Sequence, residues 1–99
     1  MIKVEVTKKS ISILGHAMYD DYGKDIVCAS VSSIVMTSVE SIASIDNSAI
    51  DVIKSNDKLE IIINKYDDIT TKLIDTMIML LKELEKKYPK NIKITNKEE

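Results

Sequence analysis

The chain has 99 residues, of which 44% are hydrophobic and 30% charged, a size and composition typical of one ordinary globular domain. Its net charge is −2, and all 14 basic residues are lysines. Without arginine the chain lacks the forked side chains that bind phosphates and guanine edges in pairs of hydrogen bonds. The negative net charge and the absence of arginine therefore argue against a nucleic-acid-binding protein and favour a protein partner.

The sequence has one cysteine, Cys28, and one histidine, His16, so no disulfide can form within the chain. A single thiol suits a reducing compartment. No apolar run reaches the roughly 18 residues of a membrane helix. The alternation of apolar and charged residues from Met1 to Val6 is unlike the apolar centre of a signal peptide. We therefore expect a cytoplasmic protein that does not enter a membrane.

The first half of the chain predicts two strands and a helix. Apolar and polar residues alternate from Ile2 to Thr7 and again from Ser10 to Leu14, which indicates an antiparallel pair of half-buried strands. From Asp25 to about Ser44 no turn signal occurs, and apolar residues recur at helical spacing among small ones. We predict a buried helix packed on the sheet, with Asp25 as its N-cap. The residues at helical spacing are Val27, Val31, Ile34, Val35, Ser38 and Ile42.

The second half predicts two strands, a helix and a last strand. Ile50 to Lys54 and Leu59 to Ile63 suit a hairpin, because turn residues separate them. A second helix follows, ended by Pro89, and then a short strand. The helix carries an apolar stripe of Leu73, Met77, Leu80, Leu81, Leu84 and Tyr88. The order β-β-α-β-β-α-β predicts an α+β fold, a single domain over residues 1–99 with two helices packed on a mostly antiparallel sheet.

One segment concentrates the residues that could carry chemistry. Gly15 and Gly23 bracket a stretch without periodicity, which indicates a surface loop with hinges. The loop holds His16, and Cys28 falls in the first turn of the predicted helix. The positive end of a helix favours thiolate over thiol. A nearby imidazole could form an ion pair with that thiolate and later protonate a leaving amine.

Several alternatives stay open for these residues. A single cysteine is often only a small buried hydrophobe. Asp25 would stabilise the helix as its cap, yet its charge opposes a nearby thiolate. Asp20 and Asp21 could orient His16, but a solvated acidic loop is favoured, and their spacing is not diagnostic of a metal site. Ser32, one turn beyond Cys28, could share its face as a supporting residue, although close helix packing is favoured.

The same segment resembles the ribosomal-processing cysteine protease family of bacteria. The resemblance rests on the run Gly15-His16-Ala17, then Tyr19, Gly23, Asp25-Ile26-Val27-Cys28-Ala29 and Val31-Ser32. The predicted element order and the chain length fit the family as well. The departures are an acidic pair, Asp20 and Asp21, in the loop, and Ser30 where a second alanine is usual. They concern substrate preference more than the chemistry.

The resemblance implies a compact homodimer in which Cys28 is the nucleophile and His16 the general base and acid. The loop from Gly15 to Gly23 would close over a peptide substrate. Members of the family remove a short N-terminal extension, ending in an aromatic residue, from large-subunit ribosomal protein L twenty-seven. The implied partner is therefore a ribosomal protein precursor, and neither a metal nor an organic cofactor is implied.

Two questions about the substrate stay open at this point. Tyr19 and Tyr22 lie in the loop and could contact an apolar peptide, although a loop tyrosine usually just faces solvent. The second question is whether the chain is an enzyme. The alternative is a non-catalytic dimeric binding module that acts on a ribosomal protein or an assembly factor and needs no reactive thiol.

Overall fold

A computed structural model describes residues 1–15 and 26–97 of the chain. The element order is β-β-α-β-β-α-β, which confirms the predicted order and the α+β class. The elements are β1 (Ile2–Val6), β2 (Ser10–Leu14), α1 (Ile26–Ile45), β3 (Ile50–Lys54), β4 (Lys58–Ile63), α2 (Asp68–Lys87) and β5 (Ile92–Asn96).

The five strands form one sheet in the order β3-β4-β2-β1-β5. Neighbouring strands are antiparallel except β1 and β5, which are parallel. Val4 pairs with Ile13, and Ile13 pairs with Leu59 across the centre, so three buried side chains lie side by side on one face. Because side chains alternate along a strand, Glu5 and Ser12 lie on the opposite face. The register therefore gives the sheet one apolar face.

Both helices cover that apolar face, because each connects two parallel strands of the same sheet. The chain runs from β2 through α1 to β3, passing β4, and from β4 through α2 to β5, passing β2 and β1. On α2 a carboxylate oxygen of Glu85 accepts a hydrogen bond from the Ile94 N–H of β5 at 2.9 Å. Thus α2 lies toward β5 and α1 lies toward β3.

The core joins both helices to the strands in one cluster. The buried residues of α1 are Val27, Cys28, Val31, Val35, Val39 and Ile42, and those of α2 are Thr70, Ile74, Met77 and Leu81. The predicted stripe on α2 is wrong at Leu80, which is 41% exposed. Leu80 precedes the fully buried Leu81 by one residue, a rotation of about 100° around a helix, so both cannot face the sheet.

The statement that no apolar run is long enough for a membrane helix needs correction, because among the described residues α1 is long and apolar enough to cross a bilayer by length and composition. Glu40 is the one charged residue among its 20 residues. A core helix of a globular protein passes the same test. Since α1 packs a full stripe of side chains into the core, its apolar composition is explained by packing against the sheet.

Candidate active site

Gly15 fixes the start of the predicted loop at the end of β2. Its φ is +112°, a conformation that residues with a Cβ rarely adopt. Its N–H donates to the Asp57 carbonyl in the β3–β4 turn at 3.2 Å. A Cβ built on Gly15 would lie 3.0 Å from the Met1 carbonyl oxygen. Glycine is therefore needed here both for the backbone angle and for the close approach of β1.

Cys28 is the third residue of α1, as the sequence predicted for the first helical turn. Its side chain is only 4% exposed and belongs to the hydrophobic core cluster. Because α1 ends at Ile45, close to the start of β3, its first turn with Cys28 lies toward the opposite end of the sheet, where β2 ends and β1 begins. The thiol is thus held by packing close to the positive end of a long helix.

The remaining predicted site residues fall outside the described part of the chain. They are His16, Tyr19, Tyr22, Gly23 and Asp25, together with the acidic pair Asp20 and Asp21. The pairing of His16 with Cys28, the cap at Asp25 and the substrate contacts of the two tyrosines therefore stay predictions. Of the supporting residues, Ser32 is described and lies half-buried one turn after Cys28.

A groove between the two helices begins beside the same end of α1. It has a volume of about 520 Å³ and is lined from α1 by Ile26, Ala29, Ser30, Ser33 and Ile34, and from α2 by Leu80, Glu83, Leu84 and Lys87. Sequence analysis did not predict this groove. The small residues of α1 could have indicated it, because small side chains leave space between two packed helices that larger side chains would fill.

Cys28 does not lie on the groove side of α1. Successive residues of a helix are rotated by about 100°, so Ser32 follows Cys28 on nearly the same side, whereas Ser30 and Ser33 lie well around the helix. The groove marks the side of α1 that faces α2. Cys28 and Ser32 therefore lie on the side of α1 turned away from the groove, where Cys28 belongs to the core cluster.

Among the described residues, the largest pKa shift lies at the other end of α1, away from Cys28. Asp46 accepts hydrogen bonds from Lys65 Nζ at 2.8 Å and from the Ser48 hydroxyl at 2.8 Å, and these bonds lower its pKa to about 2. The pair joins the end of α1 to the end of β4. Within residues 1–15 and 26–97, no group of three His, Cys, Asp or Glu side chains could hold a metal ion.

The sequence model of the cysteine protease Prp family matches residues 1–93. The chain belongs to this family. A Prp of Staphylococcus aureus, the ribosomal processing cysteine protease, is 28% identical over 106 aligned positions that cover 98% of this chain and all of that protein. A Prp of Mycoplasma genitalium is 41% identical over 39 residues, which are 39% of each chain. The family confirms that the chain is a cysteine protease, so the non-catalytic alternative is not supported.

Solved structures of Prp have the same fold. The S. aureus Prp in complex with a covalently linked product peptide superposes with a TM-score of 0.86 at 27% identity, covering 98% of this chain and all of that one. The same protein in complex with a substrate peptide gives a TM-score of 0.85 at 26% identity. The predicted family, fold and enzyme class are confirmed.

Proposed function

We propose that this protease removes the N-terminal extension of large-subunit ribosomal protein L twenty-seven, with Cys28 as nucleophile and His16 as general base and acid. The relatives from S. aureus and M. genitalium are ribosomal processing cysteine proteases, and the S. aureus protein forms complexes with a substrate peptide and with a covalently linked product peptide. The observation that carries the proposal for this chain is the place of its one cysteine, in the first turn of α1 directly after the loop.

The position of Cys28 suits a thiolate nucleophile. Helix N-termini carry a partial positive charge, and a thiolate there is favoured over a thiol. The imidazolium form of His16 would add a second positive charge. Amide N–H groups of the first helical turn are also suited to bind the oxyanion that forms when a peptide carbonyl is attacked.

The chemistry proceeds in two steps. The Cys28 sulfur attacks the carbonyl carbon of the scissile bond, the carbon–nitrogen bond breaks, and the imidazolium of His16 protonates the leaving amine. A thioester remains between Cys28 and the N-terminal fragment. His16 then takes a proton from a water molecule that attacks the thioester, and the carbon–sulfur bond breaks. The fragment leaves as a carboxylic acid, and Cys28 returns as a thiolate.

Burial of Cys28 places a condition on substrate access. With 4% of its surface exposed, the side chain cannot meet a peptide carbonyl unless neighbouring groups shift. A peptide that displaces its neighbours would therefore both reach the sulfur and shield it from water. The loop tyrosines Tyr19 and Tyr22 would contact the apolar side chains of the extension. Narrow specificity follows, because only a peptide that makes these contacts gains access to the thiol.

The resemblance extends the proposal to assembly and location: a homodimer in the cytoplasm. Light scattering on the purified chain tests the first part, since a dimer has twice the 11.1 kDa of the chain. Fractionation of the host cell tests the second. A monomer at all concentrations, or enrichment of the protein in the membrane fraction, would contradict the corresponding part.

The catalytic proposal is tested by mass spectrometry of the host ribosomal protein after incubation with purified variants. We expect the wild type to remove the extension, Cys28→Ala to remove none, and His16→Ala to lose roughly 10²- to 10⁴-fold in rate. Ser30→Ala is the control, because it replaces a neighbour with the residue usual in the family. Cleavage by Cys28→Ala at the wild-type rate would overturn the proposal. Circular dichroism checks that each variant is folded.

A further inference from the structure

We propose that a second groove, at the end of α1 remote from Cys28, binds a basic segment of the mature part of the ribosomal-protein substrate. This acidic groove has a volume of about 580 Å³, and its lining includes Ile42, Ile45, Asp46, Asp67, Asp68 and Ile69. The inference rests on the proposed function and adds a second contact with the same substrate. Three observations support it: the distance from Cys28, two exposed isoleucines and an excess of carboxylates.

The acidic groove lies too far from Cys28 to hold the scissile bond. The first turns of α1 face the last turns of α2 across the groove described above, whereas the end of α1 faces the start of α2 across the acidic groove. Cys28 and Ile45 lie near opposite ends of the same 20-residue helix, about 25 Å apart along its axis at a rise of about 1.5 Å per residue. Any segment bound there is therefore a different part of the substrate.

Two large apolar side chains at the acidic groove remain mostly exposed. Ile45 is the last residue of α1 and is 58% exposed, and Ile69 in the first turn of α2 is 55% exposed. Beside them Ile42 is buried and Leu73 is partly buried against the core, so apolar surface continues from the core to the solvent. Exposed apolar side chains grouped around a concavity are typical of a surface that a partner covers.

The charges around the acidic groove indicate the kind of partner. Asp46, Asp67 and Asp68 line it, and none of its described lining residues is basic. Lys65 pairs with Asp46 at 2.8 Å, so three carboxylates and one ammonium leave a net charge of −2. The partial charges of the two helix ends that meet here are opposite in sign and largely cancel. Among the described residues, no ion pair involves Asp68. The groove therefore attracts a cationic partner.

A ribosomal protein has the chemistry that complements this groove. Proteins that bind RNA carry an excess of lysine and arginine, because these residues neutralise phosphates. A basic segment would place an apolar side chain between Ile45 and Ile69 and its positive charges beside the carboxylates. An extended chain covers about 25 Å in about eight residues, so the segment lies at least that far beyond the cleavage site. The groove would thus favour the whole precursor over a short peptide that only reaches the thiol.

The first test compares the whole precursor with a short peptide. The peptide contains the extension and ends four residues after the cut, so it reaches at most about 14 Å beyond the scissile bond. In Asp68→Asn/Ile69→Ser we expect the KM for the precursor to rise about fivefold or more at unchanged kcat, because one charge and one apolar contact are lost. The kcat/KM for the short peptide should equal that of the wild type.

The matched control carries the same kinds of change on the face of the sheet that the helices leave uncovered. Ser12 on that face pairs with Glu60, and Glu60 pairs with Ile53, which is 51% exposed. Glu60→Gln/Ile53→Ser also removes one carboxylate and one exposed isoleucine. We expect it to have the wild-type KM for both substrates. Thermal melts check that both double variants are folded.

The second test measures binding without cleavage. Calorimetric titration of Cys28→Ala with the mature host ribosomal protein, which lacks the extension, should show binding. The Kd should rise about fivefold or more when Asp68→Asn/Ile69→Ser is added. Salt should weaken binding more in Cys28→Ala alone than in the variant with the groove changed, because exposed charges are screened. A peptide of the extension should not compete, since it binds elsewhere.

The outcomes separate this inference from the catalytic proposal. If the wild type cleaves neither substrate, but Cys28→Ala binds the mature protein through the groove, the proposed function fails and the groove assignment holds. If the precursor is cleaved with a wild-type KM by Asp68→Asn/Ile69→Ser, the groove assignment is wrong. Equal losses for the precursor and the short peptide would also overturn it, since the changes would then act on the catalytic site. A dimeric wild type that becomes monomeric in this variant would instead assign the groove to a second copy of the chain.

Discussion

The two helices have the same length and share one core, yet their sequences differ in almost every local signal. On α2 the Asp67 side chain accepts from the Thr70 N–H at 2.8 Å, Asp68 lies in the first turn, and Lys86 and Lys87 lie in the last. These charges complement the helix dipole. On α1 the first turn has no acidic residue and the last has no basic residue. Serine and β-branched residues, which favour a helix only weakly, fill α1.

Three of the six serines of α1 form hydrogen bonds to the backbone of their own helix. The hydroxyls of Ser30, Ser38 and Ser44 donate to carbonyls three or four residues earlier, each at 2.8 Å. These hydroxyls bond to the backbone of their own helix, and the short serine side chains allow neighbouring elements to pack closely against α1. The comparison teaches that α1, the helix that carries Cys28, is positioned by the fold around it, whereas α2 is also stabilised by its own ends.

The largest expected effect is a loss of stability when a buried side chain of either helix is truncated. It tests whether core packing stabilises both helices equally. Ile42 on α1 and Ile74 on α2 are 2% and 5% exposed. Replacement of either by alanine should reduce the free energy of unfolding by about 2–5 kcal/mol, because each change leaves a cavity in the same core. Urea denaturation followed by circular dichroism measures both.

The controls are the two exposed isoleucines of the same helices. Ile45 on α1 is 58% exposed and Ile69 on α2 is 55% exposed, so alanine at either should change stability by about 0.5 kcal/mol or less. A loss in Ile42→Ala far below that in Ile74→Ala would mean that α1 is not held mainly by its core contacts.

The second prediction concerns the residues that precede the two helices. The chain enters α2 through an N-cap, whereas it leaves β2 through Gly15, whose φ of +112° only glycine adopts readily. Gly15→Ala should cost about 1–3 kcal/mol, because a Cβ at φ +112° is strained and meets the Met1 carbonyl. We also expect slower cleavage, since the start of the loop would shift.

The matched control for this variant lies in the neighbouring turn. Asp57→Ala keeps the backbone carbonyl that accepts the Gly15 N–H and removes only a side chain. It should have wild-type stability in the same thermal melt. A Gly15→Ala protein as stable as the control would show that β1 and β2 can separate there without loss.

The sequence predicted the fold well because the apolar pattern of each strand and helix agrees with its final burial. Alternation in β1 and β2 was sufficient for their pairing, and the absence of a turn signal identified α1 despite its valines. Leu80 was misplaced because helical spacing alone does not tell the sheet side from the side facing a neighbouring helix. The position of β3 at an edge of the sheet could not be predicted either, since it depends on the strand order, which local patterns do not determine.

The third prediction concerns the N-cap of α2, a feature that distinguishes this helix from α1. Asp67→Ala deletes the cap on the Thr70 N–H and should lower the melting temperature by a few degrees. The bond to Thr70 also lowers the pKa of Asp67 below 3.8. This contribution is therefore present above that pH and is lost in stronger acid. Asp68→Ala, which leaves the cap intact, should have a smaller effect. Equal melting temperatures for the two variants would argue against the cap.

The smallest expected effect on stability concerns the C-terminal end of α1. An acidic residue, Asp46, follows this helix directly, whereas α2 ends in two lysines. A negative charge there opposes the helix dipole, but Lys65 neutralises it at 2.8 Å. The pair lowers the pKa of Asp46 from 3.8 to about 2 and raises that of Lys65 above 10.5. Its contribution should thus be constant at neutral pH, fall as the pH drops from about 4 to 2, and fall again above 10.5.

The two single variants of this pair should not be equivalent. Asp46→Asn loses the ion pair but also removes the charge that opposes the dipole, whereas Lys65→Met leaves that charge uncompensated at the end of α1. We therefore expect Lys65→Met to be the less stable variant at pH 7. Without Lys65 the pKa of Asp46 rises from its wild-type value of about 2, so Asp46 is protonated by pH 2 and the two variants should have converged there. Thermal melts at both pH values and at low salt, where exposed charges interact most strongly, provide the measurement. Equal stability of the two variants at pH 7 would mean that the dipole of α1 has no effect at Asp46, and the contrast between the two helix ends would then rest on the N-cap of α2 alone.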